Sequence, residues 1–240
     1  MNSQTVNGFG FSGVNIDALT NSKYCLAAMS VDMSGSVSGF QRELENAANI
    51  VIQATKKSSE AENIMLRTTT FSGISVDEVN GFTPVTQLPD DQYSNKFCAG
   101  GTTPLVDASV DAVEAIESYG KQLIDQDYMV NGILFVITDG EECSSRLGDK
   151  PQKVKEAIAR VRRNEAVESL VSILVGVNDS SCKAALNRFC TEAGFDHFIS
   201  IGDATPAKLA KLGALISQSV SSQSQSIGSG GPSQACNFSV

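Results

Sequence analysis

Apolar runs rich in β-branched residues alternate along the chain with segments of helical period, the pattern of successive βαβ units. Strands are predicted at 24–32 (YCLAAMSVD), 64–71 (IMLRTTTF), 75–79, 132–138 (GILFVIT), 169–177 and 197–201. Between them, stripes of apolar residues predict five helices. Phe40, Leu44, Ala47 and Val51 mark the first, Val106, Val110 and Val113 the second, and Val154, Ile158 and Val161 the third. Cys182, Leu186 and Phe189 mark the fourth, and Leu209, Leu212 and Ile216 the last. The expected class is α/β: a Rossmann-like, open, mostly parallel six-stranded sheet with one short antiparallel edge strand and helices on both faces.

Local signals punctuate this pattern. Thr103 before Pro104 and Thr205 before Pro206 each place a capping hydroxyl ahead of a proline at the first helical position, and Asp179 is the expected cap of the fourth helix. Residues 80–101 read as a long loop, of a length that is usually functional or mobile. From about Ser217 the stretch SQSVSSQSQSIGSGGPSQ is too polar to bury. The expected division is an N-terminal extension (1–20), one domain (21–220) and a flexible Ser/Gln/Gly-rich tail (221–240).

Composition narrows the partners. Among 240 residues, 18 Lys and Arg face 27 Asp and Glu, a formal charge of −9 that argues against nucleic acid and anionic lipid. The opening MNSQTVNGFGFSG has neither the basic nor the apolar region of a secretory signal, and no apolar run is long enough to span a bilayer, so a cytoplasmic location is expected. Six cysteines form no CxxC pair and no zinc spacing with the only histidine, His197. Free thiols are the expectation in a reducing compartment; Cys98 and Cys143, each beside a candidate metal loop, would be the pair to bridge in an oxidising one.

Candidate chemistry sits at strand ends. Val31-Asp32-Met33-Ser34-Gly35-Ser36 closes an apolar strand with one carboxylate and two hydroxyls, and Ile137-Thr138-Asp139-Gly140 brings a second carboxylate to an equivalent end. Ligands of open α/β sheets bind outside the carboxyl ends of strands where strand order reverses. Gly100-Gly101-Thr102-Thr103-Pro104 adds a hydroxyl before a helix, and with Thr103 read as the cap, Thr102 is the freer ligand. Oxygen donors without imidazole or thiolate select hard cations, Mg²⁺ first and Mn²⁺ or Ca²⁺ after it. Taken singly, Ser34 and Ser36 read as turn and cap residues; the convergence of three loops favours the metal. Glu141 and Glu142 read as a solvated acidic turn, and His197 as a packed or surface residue.

Together these loops resemble the metal-ion-dependent adhesion site of von Willebrand factor A domains, over roughly residues 20–220. Asp32, Ser34 and Ser36 match the D-x-S-x-S element, Thr102 the loop threonine and Asp139 the distal aspartate. The resemblance implies that the serines and threonine contact Mg²⁺ directly or nearly so, that the aspartates often act through water, and that a partner's acidic residue completes the shell. It also implies that the last helix slides when the site gains a ligand. FVITDGEECSS and the GGTTPL loop look most like the bacterial and phage intracellular branch.

Enzyme readings each lack a part. In GSVSG (35–39) Val37 stands where a nucleophile elbow needs serine, and neither GxGxxG nor GxxxxGK[ST] occurs. The expected function is a non-enzymatic, metal-dependent protein-binding module in intracellular assembly or stress response. Residues 80–99 and 141–146 are its expected specificity elements, and its oligomeric state is open. The alternatives are a secreted or surface adhesin and a metal-dependent phosphohydrolase, although DMSGS offers hydroxyls where the latter usually has carboxylates.

Overall fold

The computed structural model describes residues 2–6 and 9–227, with side chains from residue 10 onward. Eight strands run β1 (Asn2–Val6), β2 (Phe9–Gly13), β3 (Lys23–Asp32), β4 (Ile64–Ser72), β5 (Ser75–Pro84), β6 (Met129–Thr138), β7 (Ser169–Gly176) and β8 (His197–Ser200). The helices are α1 (Gln41–Thr55), α2 (Leu105–Ile124), α3 (Pro151–Arg163), α4 (Lys183–Ala193) and α5 (Pro206–Gln225). The spatial order is β1-β2-β5-β4-β3-β6-β7-β8. β4, β3, β6, β7 and β8 are mutually parallel, and β5 is antiparallel to β4. The α/β class and all five helical stripes stand as expected.

Alternation along β3 divides the core. Cys25, Ala27, Met29 and Val31 pack under α1 and α5, while Tyr24, Leu26 and Ala28 pack under α2. From β3 the chain moves outward through β4 and β5, then returns to β6 on the other side of β3. The strand order therefore reverses between β3 and β6, and both carboxyl ends open at that crevice.

Several expectations need correction. β5 is ten residues long and not an edge, because the N-terminal segment returns as the β1–β2 hairpin and joins β5 through Gly13 opposite Phe82. That hairpin is held by side chains: Arg67 donates to the Gly10 carbonyl, and Ser12 donates to Glu78. The stretch from Ser217 is helical through Gln225 rather than a tail, since its polar groups find buried partners. Thr55 Oγ1 donates to Ser217 Oγ at 3.0 Å, and Gln223 Nε2 to Ser169 Oγ at 2.7 Å. The rest of the expected tail, 228–240, lies outside the described residues, as does Cys236.

The stretch read as a loop from residue 80 is strand as far as Pro84, and the remainder is pinned. Gln41, Glu45 and Asn49, spaced four apart on α1, accept backbone N–H groups of Ala99, Phe97 and Tyr93. Thr205 caps α5 as expected, but Thr103 does not cap α2 and Asp179 does not cap α4. Asp179 instead accepts the Gly202 N–H at 3.0 Å, tying the loop after β8 to the loop after β7.

Candidate metal centre

The end of β3 delivers Asp32 into a polar environment that is closed to water; its residue is 1% exposed. One carboxylate oxygen accepts the Ser34 N–H at 2.7 Å and the other the Thr138 hydroxyl at 2.6 Å. Thr138, the last residue of β6, therefore fixes Asp32 from the neighbouring strand. Ser36 Oγ donates to Asp139 Oδ1 at 2.7 Å and lies 2.9 Å from Ser34 Oγ. With its one proton committed to Asp139, Ser36 accepts from Ser34. Ser34, Ser36 and Asp139 thus form one hydrogen-bonded line of side-chain oxygens at the β3–β6 crevice, and Asp32 joins it through the Ser34 backbone N–H.

The Thr102 loop meets this cluster through the backbone of its neighbours Gly100 and Gly101, while Thr102 itself bonds Gly73. Gly35 N–H donates to the Gly101 carbonyl at 2.9 Å and Gly100 N–H to the Met33 carbonyl at 2.8 Å, so the Thr102 loop is laced to the D-x-S-x-S loop. Its hydroxyl donates to the Gly73 carbonyl at 3.0 Å, and Gly73 N–H returns a bond to the Thr102 carbonyl at 2.8 Å. The β4–β5 turn is therefore a fourth element of the site, one the sequence reading lacked. Gly101 has φ +78°, and a Cβ there would come within 3.0 Å of Gly73 N, so this close approach requires glycine.

Glu142 is not a solvated turn residue. Its carboxylate accepts Val106 N–H at 2.6 Å, satisfying the open start of α2 that Thr103 was expected to cap. An acidic residue beyond the TDG turn is visible in sequence, but its helix target is 36 residues upstream, so local spacing could not find it. Cys98 and Cys143 are both free and exposed, and Cys143 Sγ accepts Thr103 N–H at 3.2 Å.

Burial is the largest influence on both site carboxyls. It lifts Asp32 to about 6, against opposing hydrogen bonds from Thr138 and Ser34, and nearby Asp139 adds to the rise. Asp139 is also raised by burial, with Ser36 partly opposing. Two buried carboxyls pushed toward neutrality, flanked by hydroxyls, fit a divalent cation whose charge would offset the burial. Among the described residues, no three His, Cys, Asp or Glu side chains gather where they could share an ion, so any site here is built largely on hydroxyls.

The sequence matches no family model, and no curated protein matches it. Solved structures do. The PilB minor pilin of Streptococcus sanguinis (D319A mutant) superposes with TM-score 0.60 at 13% identity over 90% of this chain and 65% of that one. The vWF domain of the type V pili tip protein Mfa5 from Porphyromonas gingivalis gives 0.55 at 10% identity, over 84% and 96% respectively. Proximal thread matrix protein 1 of the mussel byssus, with a zinc-occupied MIDAS motif, gives 0.53 at 13% identity, over 83% and 46%. This chain spans less than two thirds of the PilB chain and under half of the mussel protein. It has the von Willebrand factor A fold. No helix among the described residues is long and apolar enough to cross a membrane.

Proposed function

We propose that this chain is a non-enzymatic, divalent-metal-dependent protein-binding module, with Asp32, Ser34, Ser36, Thr102 and Asp139 holding Mg²⁺. The observation that carries this reading is the hydrogen-bonded line from Asp32 through Ser34 and Ser36 to Asp139, at the point where strand order reverses. The hydroxyls of Ser34 and Ser36 bring neutral oxygens, and the two aspartates bring the only formal negative charge. An ion held this way keeps positive charge for a partner's Asp or Glu. Mn²⁺ and Ca²⁺ are the other hard cations suited to these donors. The zinc-occupied motif of the mussel protein supports divalent binding by this fold.

One acidic contact is too weak to hold a partner alone; micromolar binding needs about 8 kcal/mol in total, so surrounding loops must contribute. Exposed Glu141 lines a cleft with Asp149, Arg188 and Glu192 beside the site and is one such contributor. A cytoplasmic role is the first reading of its location. A surface adhesin is the second reading, favoured by the pilus proteins among the structural neighbours.

The test is affinity capture from the source organism with Mg²⁺, with EDTA, and with an Asp32→Ala chain, alongside calorimetric titration of Mg²⁺. The expected result is a specific protein retained only by the wild-type chain with Mg²⁺, and metal binding lost in Asp32→Ala. Retention that ignores both EDTA and the substitution would contradict the proposal, as would turnover of phosphate esters.

A further inference from the structure

Resting on that metal reading, we propose that Glu142 and Asp107 form a reciprocal clasp that sets the site's preference for Mg²⁺ over Ca²⁺. Each carboxylate serves the backbone of the other's segment. Glu142 Oε2 accepts Val106 N–H in the first turn of α2 at 2.6 Å, while its Oε1 accepts the N–H groups of Ser144 and Ser145 at 2.8 and 2.7 Å. Asp107, buried in the same turn of α2, accepts Arg146 N–H at 2.8 Å and Leu147 N–H at 3.1 Å. Ser145 Oγ bridges the pair, donating to Glu142 Oε2 at 2.6 Å and accepting Asp107 N–H at 3.0 Å.

The clasp joins the two segments that carry distal donors. Asp139 lies just before Glu142, and Thr102 lies just before α2. Cys143 N–H donates to the Thr103 carbonyl at 3.0 Å, and Ser144 Oγ to the Gly73 carbonyl at 2.5 Å, the same carbonyl that Thr102 uses. The spacing between the Thr102 loop and the Asp139 loop is thus fixed by charge-assisted bonds well outside the site itself. Mg²⁺ demands near-octahedral oxygens at about 2.0–2.1 Å, whereas Ca²⁺ accepts six to eight ligands at about 2.3–2.6 Å in flexible arrangements. A rigid frame favours the smaller ion, and loosening it removes that advantage. Glu142 and Asp107 act as positioning residues, with selectivity as their signature.

The experiment titrates Mg²⁺ and Ca²⁺ separately into the wild-type chain, Glu142→Gln, Asp107→Asn and Ser145→Ala, with folding checked by circular dichroism. Ser145→Ala removes only the bridging hydroxyl and keeps the test alive if a carboxylate variant fails to fold. The wild type is expected to prefer Mg²⁺. Each variant should lose about tenfold in Mg²⁺ affinity, the equivalent of about 1.4 kcal/mol, with a much smaller change for Ca²⁺. Loss of both affinities in equal proportion, or no change in either, overturns the clasp while leaving the metal reading intact. A wild-type chain that binds neither ion overturns both.

Discussion

In the proposed site a proton and a cation compete for Asp32. Its carboxyl is raised from 3.8 to about 6, chiefly by burial, so in the metal-free protein the folded state binds this proton more tightly than the unfolded chain does. Its contribution to stability therefore grows as pH falls from about 6 toward 3.8. Metal binding runs the other way, because the ion must displace the proton. Calorimetry across this range should show Mg²⁺ affinity falling about tenfold per pH unit below the Asp32 midpoint, while urea midpoints of the metal-free protein gain from this group. Affinity flat from neutral pH down to 4 would contradict the assignment. Gly101 gives a second prediction at this scale. At φ +78° an alanine costs about 1–2 kcal/mol from conformation alone, and its Cβ would press on the β4–β5 turn. Gly101→Ala should lower the urea midpoint and weaken Mg²⁺ binding together. The residue types at the site were readable because D-x-S-x-S and TDG each close an apolar strand. The hydroxyl line, with Ser36 turned to Asp139, was not, because it depends on a contact between residues 103 apart in sequence.

Among the elements, the helical stripes and the parallel strands were legible because one-face burial imposes a period on sequence. What escaped was burial of polar groups. Only the apolar stripe of α1 was legible; the polar Gln41, Glu45 and Asn49 beside it carry the backbone of the 93–99 segment. The serine-rich half of α5 reads as tail for the same reason, and Gln223 and Ser217 show that its polarity is spent inside the fold. Arg67 on β4 is the sharpest case, a buried guanidinium paired with Asp111 of α2 at 2.8 Å and with Glu78 of β5 at 2.8 Å. Removing Asp111 takes away the fully buried carboxylate and leaves the guanidinium to the partly exposed Glu78 alone, so Asp111→Ala should cost about 3 kcal/mol, the low end for a broken buried pair, by urea denaturation. Replacing both, Arg67→Met with Asp111→Leu, should recover most of that loss. A double variant as unstable as the single would show that the pair itself, rather than the orphaned charge, supports the fold.

For the whole molecule, the site and α5 are joined through α1. The D-x-S-x-S loop leads into α1, whose inner face packs with Leu209, Leu212, Ile216 and Val220 of α5 in one core, and Thr55 bonds Ser217 across the two helices. A partner that prefers one of two arrangements by about 1–3 kcal/mol is enough to couple the ends. Amide exchange over residues 205–220 should therefore change when a metal-dependent partner binds, and unchanged exchange would remove α5 from the mechanism. The most direct measurement for the account as a whole is anomalous diffraction from crystals of this chain grown with Mn²⁺. One strong peak is expected among Asp32, Ser34, Ser36 and Asp139 with Thr102 beside it, absent in Asp32→Ala crystals. No peak there, or a peak that survives the substitution, would contradict it.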